Sequence, residues 1–353
     1  MTKRGWIPSV GALLLLTLGC GQGTKSTEPT PSTASTDAAR SELEVNSDPT
    51  PALRPSSPLV YAERGRAVSA HDCEQQSQGI ELGALRAETA VVALAENGAY
   101  ILAEDSEGWA LRRVQGVMGE GACAFIGDET FGEAGRLSLT NQPLDVVAAG
   151  RHLLVLGQEP TVYSLAGESL YTCEAARNVT RATVGAELIG RHANGSLVNL
   201  RLSDDSCEAT TVWSDDHLQA TNVIGQSREG TVAFIAAGAG QAPALVVVEG
   251  ESTRFFDVGD DEAAVPLAQV SSLVVNDGGI VLSLGSHQRL AWVSLAGEVQ
   301  HIASMRDNLG TDRFFVPLRL AKGVGEGFFV TGWVHGEGDA RPAKIYAFEA
   351  PAL

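Results

Sequence analysis

The feature that most constrains this fold is a recurring pair of short apolar runs joined by a turn that contains glycine. In the first pair, residues 91–95 lead to residues 99–102. The four clearest pairs surround Gly98, Gly150, Gly279 and Gly327. Two apolar runs separated by a tight glycine turn are typical of a β-hairpin. The chain is therefore predicted to be built from repeated hairpins.

A third strand is predicted beyond most of these hairpins. The candidates are residues 109–114, 161–165, 245–248, 290–295 and 344–348. Two looser units, residues 183–202 and 223–248, contain turn glycines at 185 and 230. All six turn glycines together recur at intervals of 35 to 52 residues. A four-stranded unit repeated about every 40–50 residues is the pattern of β-propeller blades.

The fold class is therefore predicted to be all-β, a propeller of about six four-stranded blades over residues 59–353, with seven blades as the alternative. The ring is expected to close when an N-terminal strand completes the last blade, from residues 59–63 or 80–85. A pair of β-sandwiches is the competing architecture. Residues 85–96 also have the propensity for a helix.

The N-terminus has the pattern of a secretory signal. Lys3 and Arg4 precede an apolar run that ends in small residues. This run is too short to be a typical transmembrane helix, which needs about 20 apolar residues. The segment Leu16-Thr17-Leu18-Gly19-Cys20 resembles the lipobox of bacterial lipoproteins, although Thr17 stands where leucine is commonest in that family.

The lipobox resemblance implies removal of residues 1–19 and acylation of Cys20. Because two or three acyl chains anchor a protein stably, it also implies membrane attachment. Gly21, in place of aspartate, implies transport to the outer membrane of the bacterial envelope, facing the periplasm or the cell surface. Residues 20–58 are rich in Ser, Thr and Pro and are predicted to form a disordered spacer. The repeat resembles that of β-propeller lipoproteins in general, and no partner follows from this likeness.

Charge and cysteine content restrict the partners and the compartment. The formal net charge is −18, which disfavours nucleic acid and anionic lipid as partners. Four cysteines follow Cys20, and in an oxidising compartment an even number favours two disulfides. Spacing allows three pairings, of which Cys73–Cys123 and Cys173–Cys207 are preferred because near neighbours in a repeat array meet most easily. None of the spacings is that of a zinc site.

Catalytic motifs are absent from the sequence, and acidic connections are the candidate binding residues. Neither G-x-S-x-G nor H-E-x-x-H occurs. In a propeller, the connections between blades lie on one face. The charged residues of three such connections are Asp215, Asp216, His217, Asp260, Asp261, Glu262, Arg306 and Asp307. Their carboxylates could bind a basic partner, or a structural Ca²⁺, which takes six to eight oxygen ligands.

Three hypotheses about function follow. The first is a non-enzymatic lipoprotein whose propeller binds or scaffolds a protein or glycan partner, with no catalytic residues, no resident metal and no cofactor. The second is a propeller enzyme that acts on glycans or lactones through carboxylates. The third is an adhesin stabilised by calcium, for which chelation would lower the melting temperature.

Overall fold

The computed structural model describes residues 59–61, 68–74, 77–95, 98–119, 122–258, 265–276, 278–305, 313–323, 325, 327–336 and 341–349. In chain order their strands are β1 (Leu59–Tyr61), β2 (Val68–Asp72), β3 (Val91–Ala95), β4 (Gly98–Asp105), β5 (Gly108–Gly119), β6 (Ala122–Gly127), β7 (Arg136–Ser138), β8 (Pro143–Ala149), β9 (His152–Gly157), β10 (Thr161–Ser164), β11 (Ser169–Thr172), β12 (Val179–Val184), β13 (Leu188–His192), β14 (Leu197–Leu202), β15 (Cys207–Trp213), β16 (Gln219–Gln226), β17 (Val232–Ala237), β18 (Ala244–Glu249), β19 (Ser252–Phe256), β20 (Ser272–Asn276), β21 (Gly279–Leu284), β22 (Arg289–Val293), β23 (Val299–Ser304), β24 (Phe314–Lys322), β25 (Phe328–His335) and β26 (Lys344–Phe348). Short 3-10 turns occur at Leu82–Ala84, Glu174–Ala176, Leu267–Gln269 and Gly285–His287.

These strands form six antiparallel sheets, which are the blades of a propeller. Blade I contains β3–β7, blade II β8–β11, blade III β12–β15, blade IV β16–β19 and blade V β20–β23, while blade VI contains β24–β26 with β2 and β1. The innermost strands are β3, β8, β12, β16, β20 and β24. Each contacts the innermost strands of both neighbouring blades, and β24 contacts β3. The ring is therefore closed, which confirms the six-bladed propeller and rules out a pair of sandwiches.

The core consists of one hydrophobic cluster at each of the six junctions between blades. Successive side chains of a strand point to opposite faces of its sheet. In β3, Val91 and Ala93 pack against blade II, whereas Val92 packs against blade VI. Because a blade is buried on both faces, its central strands contain continuous apolar runs rather than alternating ones, as the sequence shows for residues 153–156.

An N-terminal strand completes the last blade and closes the ring, as predicted. The strand that pairs with β26, however, is not one of the two candidate segments. It is β2, in which Ala70 lies opposite Phe348 and Asp72 opposite Tyr346. Residues 59–61 form β1, which pairs with the outer edge of β2. The second candidate segment, residues 80–85, contains a 3-10 turn and packs its leucines into the junction between blades VI and I.

The helix considered for residues 85–96 is not formed. Arg86–Thr89 make a turn, and residues 91–95 form β3, which pairs along its length with β4. Burial at the centre of the ring therefore outweighs the local propensity of this alanine- and glutamate-containing segment. Blades II–V each have four strands, as predicted. Blade VI has a fifth strand, β1, which pairs with β2. Blade I also has a fifth strand, β7, because both β6 and β7 pair with β5.

Both predicted disulfides are confirmed, and each joins neighbouring blades. Cys73 follows β2 of blade VI and is bonded to Cys123 in β6 of blade I. Cys173 follows β11 of blade II and is bonded to Cys207 in β15 of blade III. The first bond thus ties the closing strand to the blade beside it, and the second ties the outer strands of two consecutive blades.

Several predictions concern residues outside the described part of the chain. These are the signal segment at residues 1–19, the acylation site Cys20, the spacer up to residue 58 and the candidate binding residues Asp260, Asp261, Glu262, Arg306 and Asp307. Among the residues that the structure does describe, no helix has the length and apolar character needed to cross a membrane.

Candidate functional site

The six innermost strands surround a chamber of about 410 Å³ on the axis of the ring. Every blade contributes to its wall through residues of β3, β8, β12, β16, β20 and β24. Most of the wall is apolar. The chamber extends to the turns that follow these strands, since Gly150, Gly185 and Gly323 also line it. It therefore opens at the face where the innermost strands end.

Three charged side chains in or directly behind the wall of this chamber follow β-bulges. In β8, β12 and β24 the pairing with the second strand of the blade skips one residue, and the residues that resume it are Asp145, Arg181 and Arg319. A bulge changes the direction of the following side chain and is frequent near functional sites. The bulges in blades II, III and VI thus bring one charge from each blade to the axis.

Asp145, Arg181 and Arg319 form what we call the central charge cluster. The Asp145 carboxylate is almost completely buried, at 2% exposure. Its Oδ2 lies 3.3 Å from Nε of Arg181 and accepts a hydrogen bond of 3.1 Å from the backbone N–H of Ala182. Its Oδ1 lies 3.7 Å from Nη1 of Arg319. Because Arg319 belongs to blade VI and Asp145 to blade II, the cluster connects the two blades that flank blade I.

The central charge cluster has a net positive charge, because two guanidinium groups share one carboxylate. Nη1 of Arg319 is buried and makes no hydrogen bond within the described part of the chain. Burial, and then repulsion from Arg181, lower the pKa of Arg319 to about 10, although Asp145 acts in the opposite direction. Arg319 therefore remains charged at neutral pH. The centre of the ring thus differs in sign from the whole protein, whose net charge is −18.

Two further cations line the chamber nearer its opening. Arg228 lies in the turn after β16, and Lys322 is the last residue of β24. The described wall therefore contains three cationic side chains, those of Arg181, Arg228 and Lys322, and one carboxylate, that of Asp145. Arg319 is not counted because it lies behind the wall. Glu96, Asp277 and Glu326 lie outside the described residues.

The predicted acidic connection that the structure describes lies away from the chamber. Asp215, Asp216 and His217 are exposed between β15 and β16, at the start of an innermost strand rather than at its end. Oδ1 of Asp215 accepts hydrogen bonds from the backbone N–H groups of His217 and Leu218, at 2.8 and 2.9 Å. These bonds lower the pKa of Asp215. A binding role for this connection stays a prediction.

No group of three or more histidine, cysteine, aspartate or glutamate side chains suited to a metal occurs among the described residues. A shallower groove lies between blades II and III, where Arg151 forms an ion pair of 2.6 Å with Asp204. Nε2 of His152 lies 3.3 Å from the other oxygen of the same carboxylate. The charged groups of this groove therefore satisfy one another.

The motifs and spacings of the sequence did not indicate the central charge cluster, although the sequence contains a signal for it. Asp145 and Arg319 are each charged residues between two apolar neighbours, as in Leu144-Asp145-Val146 and Leu318-Arg319-Leu320. A charge in a buried strand needs a partner, because burial of an unpaired charge is costly. This argument would have selected Asp145 and Arg319, but it would not have shown that they meet.

Comparison with known proteins identifies no family. No protein-family model matches the sequence, and no curated protein matches it. Among solved structures, the chain is similar to a streptogramin B lyase, with 10% identity, a TM-score of 0.46 and coverage of 80% of this chain and 97% of that one. It is also similar to the PQQ-bound form of aldose sugar dehydrogenase from Streptomyces coelicolor, with 12% identity, a TM-score of 0.42 and coverage of 76% and 96%.

A third similar structure is YCF48 from Cyanidioschyzon merolae, with 11% identity, a TM-score of 0.41 and coverage of 73% of this chain and 79% of that one. At these identities and TM-scores the likenesses transfer no activity, ligand or partner. The assignment of the fold rests on the strand pairing of the chain itself.

Proposed function

We propose that this protein is a lipid-anchored binding module of the bacterial cell envelope, in which the propeller recognises a partner and residues 20–58 supply reach. The sequence supports the anchor through the lipobox-like segment that ends at Cys20. It also supports a flexible tether, because residues 20–58 are too polar to form a hydrophobic core. The propeller supports recognition, because a closed ring presents loops and an axial cavity on a rigid frame.

The observation that carries the binding proposal is the chemistry of the chamber wall. Its described residues include the charged groups of Arg181, Arg228, Lys322 and Asp145 and one hydroxyl group, on Thr183, but no serine, cysteine or histidine. Nucleophilic catalysis generally needs a nucleophile with an adjacent base. A wall of apolar side chains with a few charged groups is instead the usual composition of a ligand-binding pocket.

An enzyme acting on glycans through carboxylates finds no support among the described residues of the chamber. Glycoside hydrolysis uses two carboxyl groups about 5–10 Å apart. The described chamber wall has one carboxylate, Asp145, which is paired with Arg181. Binding is therefore the function that the geometry favours.

Metabolic labelling tests the anchor. Cells that express the full chain are grown with a radiolabelled fatty acid, and the protein is compared with Cys20→Ala. We expect label on the natural chain and none on the variant, together with loss of the variant from the membrane fraction. Equal labelling of both proteins, or of neither, would contradict the anchor.

Site-specific cross-linking in intact cells tests recognition. A photo-crosslinking amino acid replaces Arg228 at the chamber opening or, as the matched control, Phe255 on the outer strand β19, where the side chain is 50% exposed. We expect a discrete adduct from position 228 that is absent from position 255. The same adducts from both positions, or none from either, would contradict recognition at the chamber.

A further inference from the structure

The chamber contains an unusual electrostatic arrangement for this protein. Its inner end is formed by the central charge cluster, whose two guanidinium groups and one carboxylate leave a net positive charge. This charge lies at the centre of a strongly acidic protein. The chemistry of the ligand can therefore be argued from the chamber itself.

Arg181 has hydrogen-bonding capacity directed at the chamber. It lines the cavity, and its Nε faces Asp145. Its two Nη atoms have no partner among the described residues, and the side chain is 15% exposed. A guanidinium group matches the geometry of carboxylate and phosphoryl oxygens and binds them through paired hydrogen bonds. The free edge of Arg181 is therefore suited to a small oxyanion.

Arg319 strengthens this preference from behind. Its buried Nη1 lies 3.7 Å from Asp145, beyond the length of a good hydrogen bond, and makes none within the described part of the chain. Buried donors without partners are rare, and each one needs a physical reason. Here the reason is that Asp145 neutralises the charge of Arg319 only in part. The remaining positive charge raises the potential at the place where an anion would bind.

The remaining wall increases the strength of these interactions. Val92, Val147, Val275 and Leu320 contribute apolar surface to the chamber wall. Charge-assisted hydrogen bonds are stronger in such a low-dielectric environment than in water. The volume of about 410 Å³ lies within the range of pockets for small molecules, roughly 300–1,000 Å³.

We infer that the chamber binds a small molecule that carries a carboxylate or phosphoryl group, with the anionic group held by Arg181 and the charge of Arg319 supporting it. The inference rests on the proposed function only in treating the chamber as a binding site, and it does not depend on the lipid anchor.

Calorimetric titration of the full mature chain tests the inference, with inorganic phosphate and succinate as separate probes in a buffer of constant ionic strength set with sodium chloride. We expect saturable binding of at least one probe, and the two probes distinguish phosphoryl from carboxylate recognition. Arg181→Gln should weaken binding about tenfold or more, because a hydrogen bond to a charged group is lost. Arg151→Gln, a matched change on an exposed arginine outside the chamber, should leave binding unchanged.

A substitution of Asp145 distinguishes ligand binding from a structural role. Asp145→Asn keeps an oxygen for the backbone N–H of Ala182 but removes the carboxylate that competes for both arginines. The affinity for the probe should therefore rise, whereas Arg319→Gln should lower it. If the cluster only stabilised the fold, Asp145→Asn and Arg319→Gln would change the affinity for the probe in the same direction.

Two outcomes would overturn the inference. One is the absence of binding of either probe to the natural chain. The other is a decrease in affinity for Asp145→Asn that matches the decrease for Arg319→Gln, with both variants folded by circular dichroism. Fatty-acid labelling of Cys20 and cross-linking at position 228 are independent of these titrations, so failure here leaves the proposed function standing with another ligand.

Discussion

Two junctions of the ring, between blades II and III and between blades V and VI, are held together in different ways. The junction between blades II and III is packed mainly by aliphatic side chains and alanines and contains the disulfide Cys173–Cys207. Among the described residues, the junction between blades V and VI has no disulfide and contains five buried aromatic side chains. Trp292 of blade V meets Phe328 of blade VI with ring centroids 6.0 Å apart, and Phe328 stacks on Phe348 of its own blade at 5.2 Å.

The comparison shows that one repeat can close its interfaces by different physical means. A buried aromatic ring stabilises the native state through a large apolar area and specific ring geometry. A disulfide stabilises mainly by restricting the unfolded chain. The junction with smaller side chains has the covalent link, and the junction with larger side chains does without one. Four measurements test this contrast.

The largest effect is expected from Phe328→Ala in the aromatic junction. Phe328 is fully buried between Phe348 and Trp292. The free energy of unfolding in urea should fall by about 3–5 kcal/mol, because the change leaves a cavity in a packed cluster. Leu154 is also fully buried, but in the junction of blades II and III.

Leu154→Ala should therefore lower the free energy of unfolding by less than Phe328→Ala does. Equal losses of stability at the two sites would contradict the contrast between the junctions. The control Phe255→Ala, on an exposed ring, should change stability by less than about 0.5 kcal/mol.

The next effect is expected from removal of the disulfide between blades II and III. The double change Cys173→Ser and Cys207→Ser should lower the free energy of unfolding by about 3 kcal/mol, because the bond closes a loop across 34 residues. Denaturation is measured with and without reductant. In reductant the natural chain and the variant should become similar, and a large difference that persists there would show that the serines themselves disturb the packing.

A smaller, pH-dependent effect is expected from a link inside one blade, which serves as a reference for the links between blades. Asp105 in blade I is paired with Arg112 and Arg136. Burial opposes ionisation of this carboxyl group, but its hydrogen bonds with Arg136 and Arg112 outweigh burial and lower its pKa to about 2. A folded-state pKa below the unfolded value of about 3.9 contributes stability above pH 4, and this contribution is lost as the pH falls towards 2.

Asp105→Asn should therefore reduce the melting temperature at pH 5 to 7, by the equivalent of about 1 kcal/mol, and the difference from the natural chain should shrink below pH 4. Asp216→Asn, in an exposed connection, is the matched control. A gap that stays constant from pH 7 to pH 2.5 would argue against the ionised carboxylate as its cause.

The smallest effect is expected at the surface of the junction between blades II and III. The ion pair of Arg151 with Asp204 joins the two blades at 2.6 Å, but both side chains are mostly exposed. Exposed pairs contribute about 0–1 kcal/mol because solvent screens them. A double-mutant cycle of Arg151→Ala and Asp204→Ala should give a coupling energy below about 1 kcal/mol. A coupling energy larger than the loss caused by removal of the disulfide would make electrostatics, rather than the disulfide, the main link at this junction.

Sequence reasoning succeeded where the relevant contacts are local. The hairpins around Gly98 and Gly279 and the third strand at residues 344–348 have the predicted positions, because a glycine turn and the apolar runs beside it determine such pairing. The disulfides were also predictable, since consecutive cysteines lie at the outer strands of neighbouring blades.

Sequence reasoning failed where the decisive contact is distant. The closing strand β2 reads Val-Ser-Ala-His-Asp, which is a weak strand pattern, and its partner β26 lies more than 270 residues away. The central charge cluster depends on bulges in three blades. A shift of register by one residue changes the face to which every later side chain points. Alternation alone therefore could not place Arg319 beside Asp145.

The position of the Cys73–Cys123 bond has a mechanical consequence. The chain enters the ring through β1 and β2 at the outer edge of blade VI, so tension on the preceding residues acts on these two strands first. Peeling can proceed as far as Cys73, where the bond transfers the force to β6 of blade I. Residues 59–72 can thus be drawn out to a total length of at most about 50 Å while the rest of the ring stays shut.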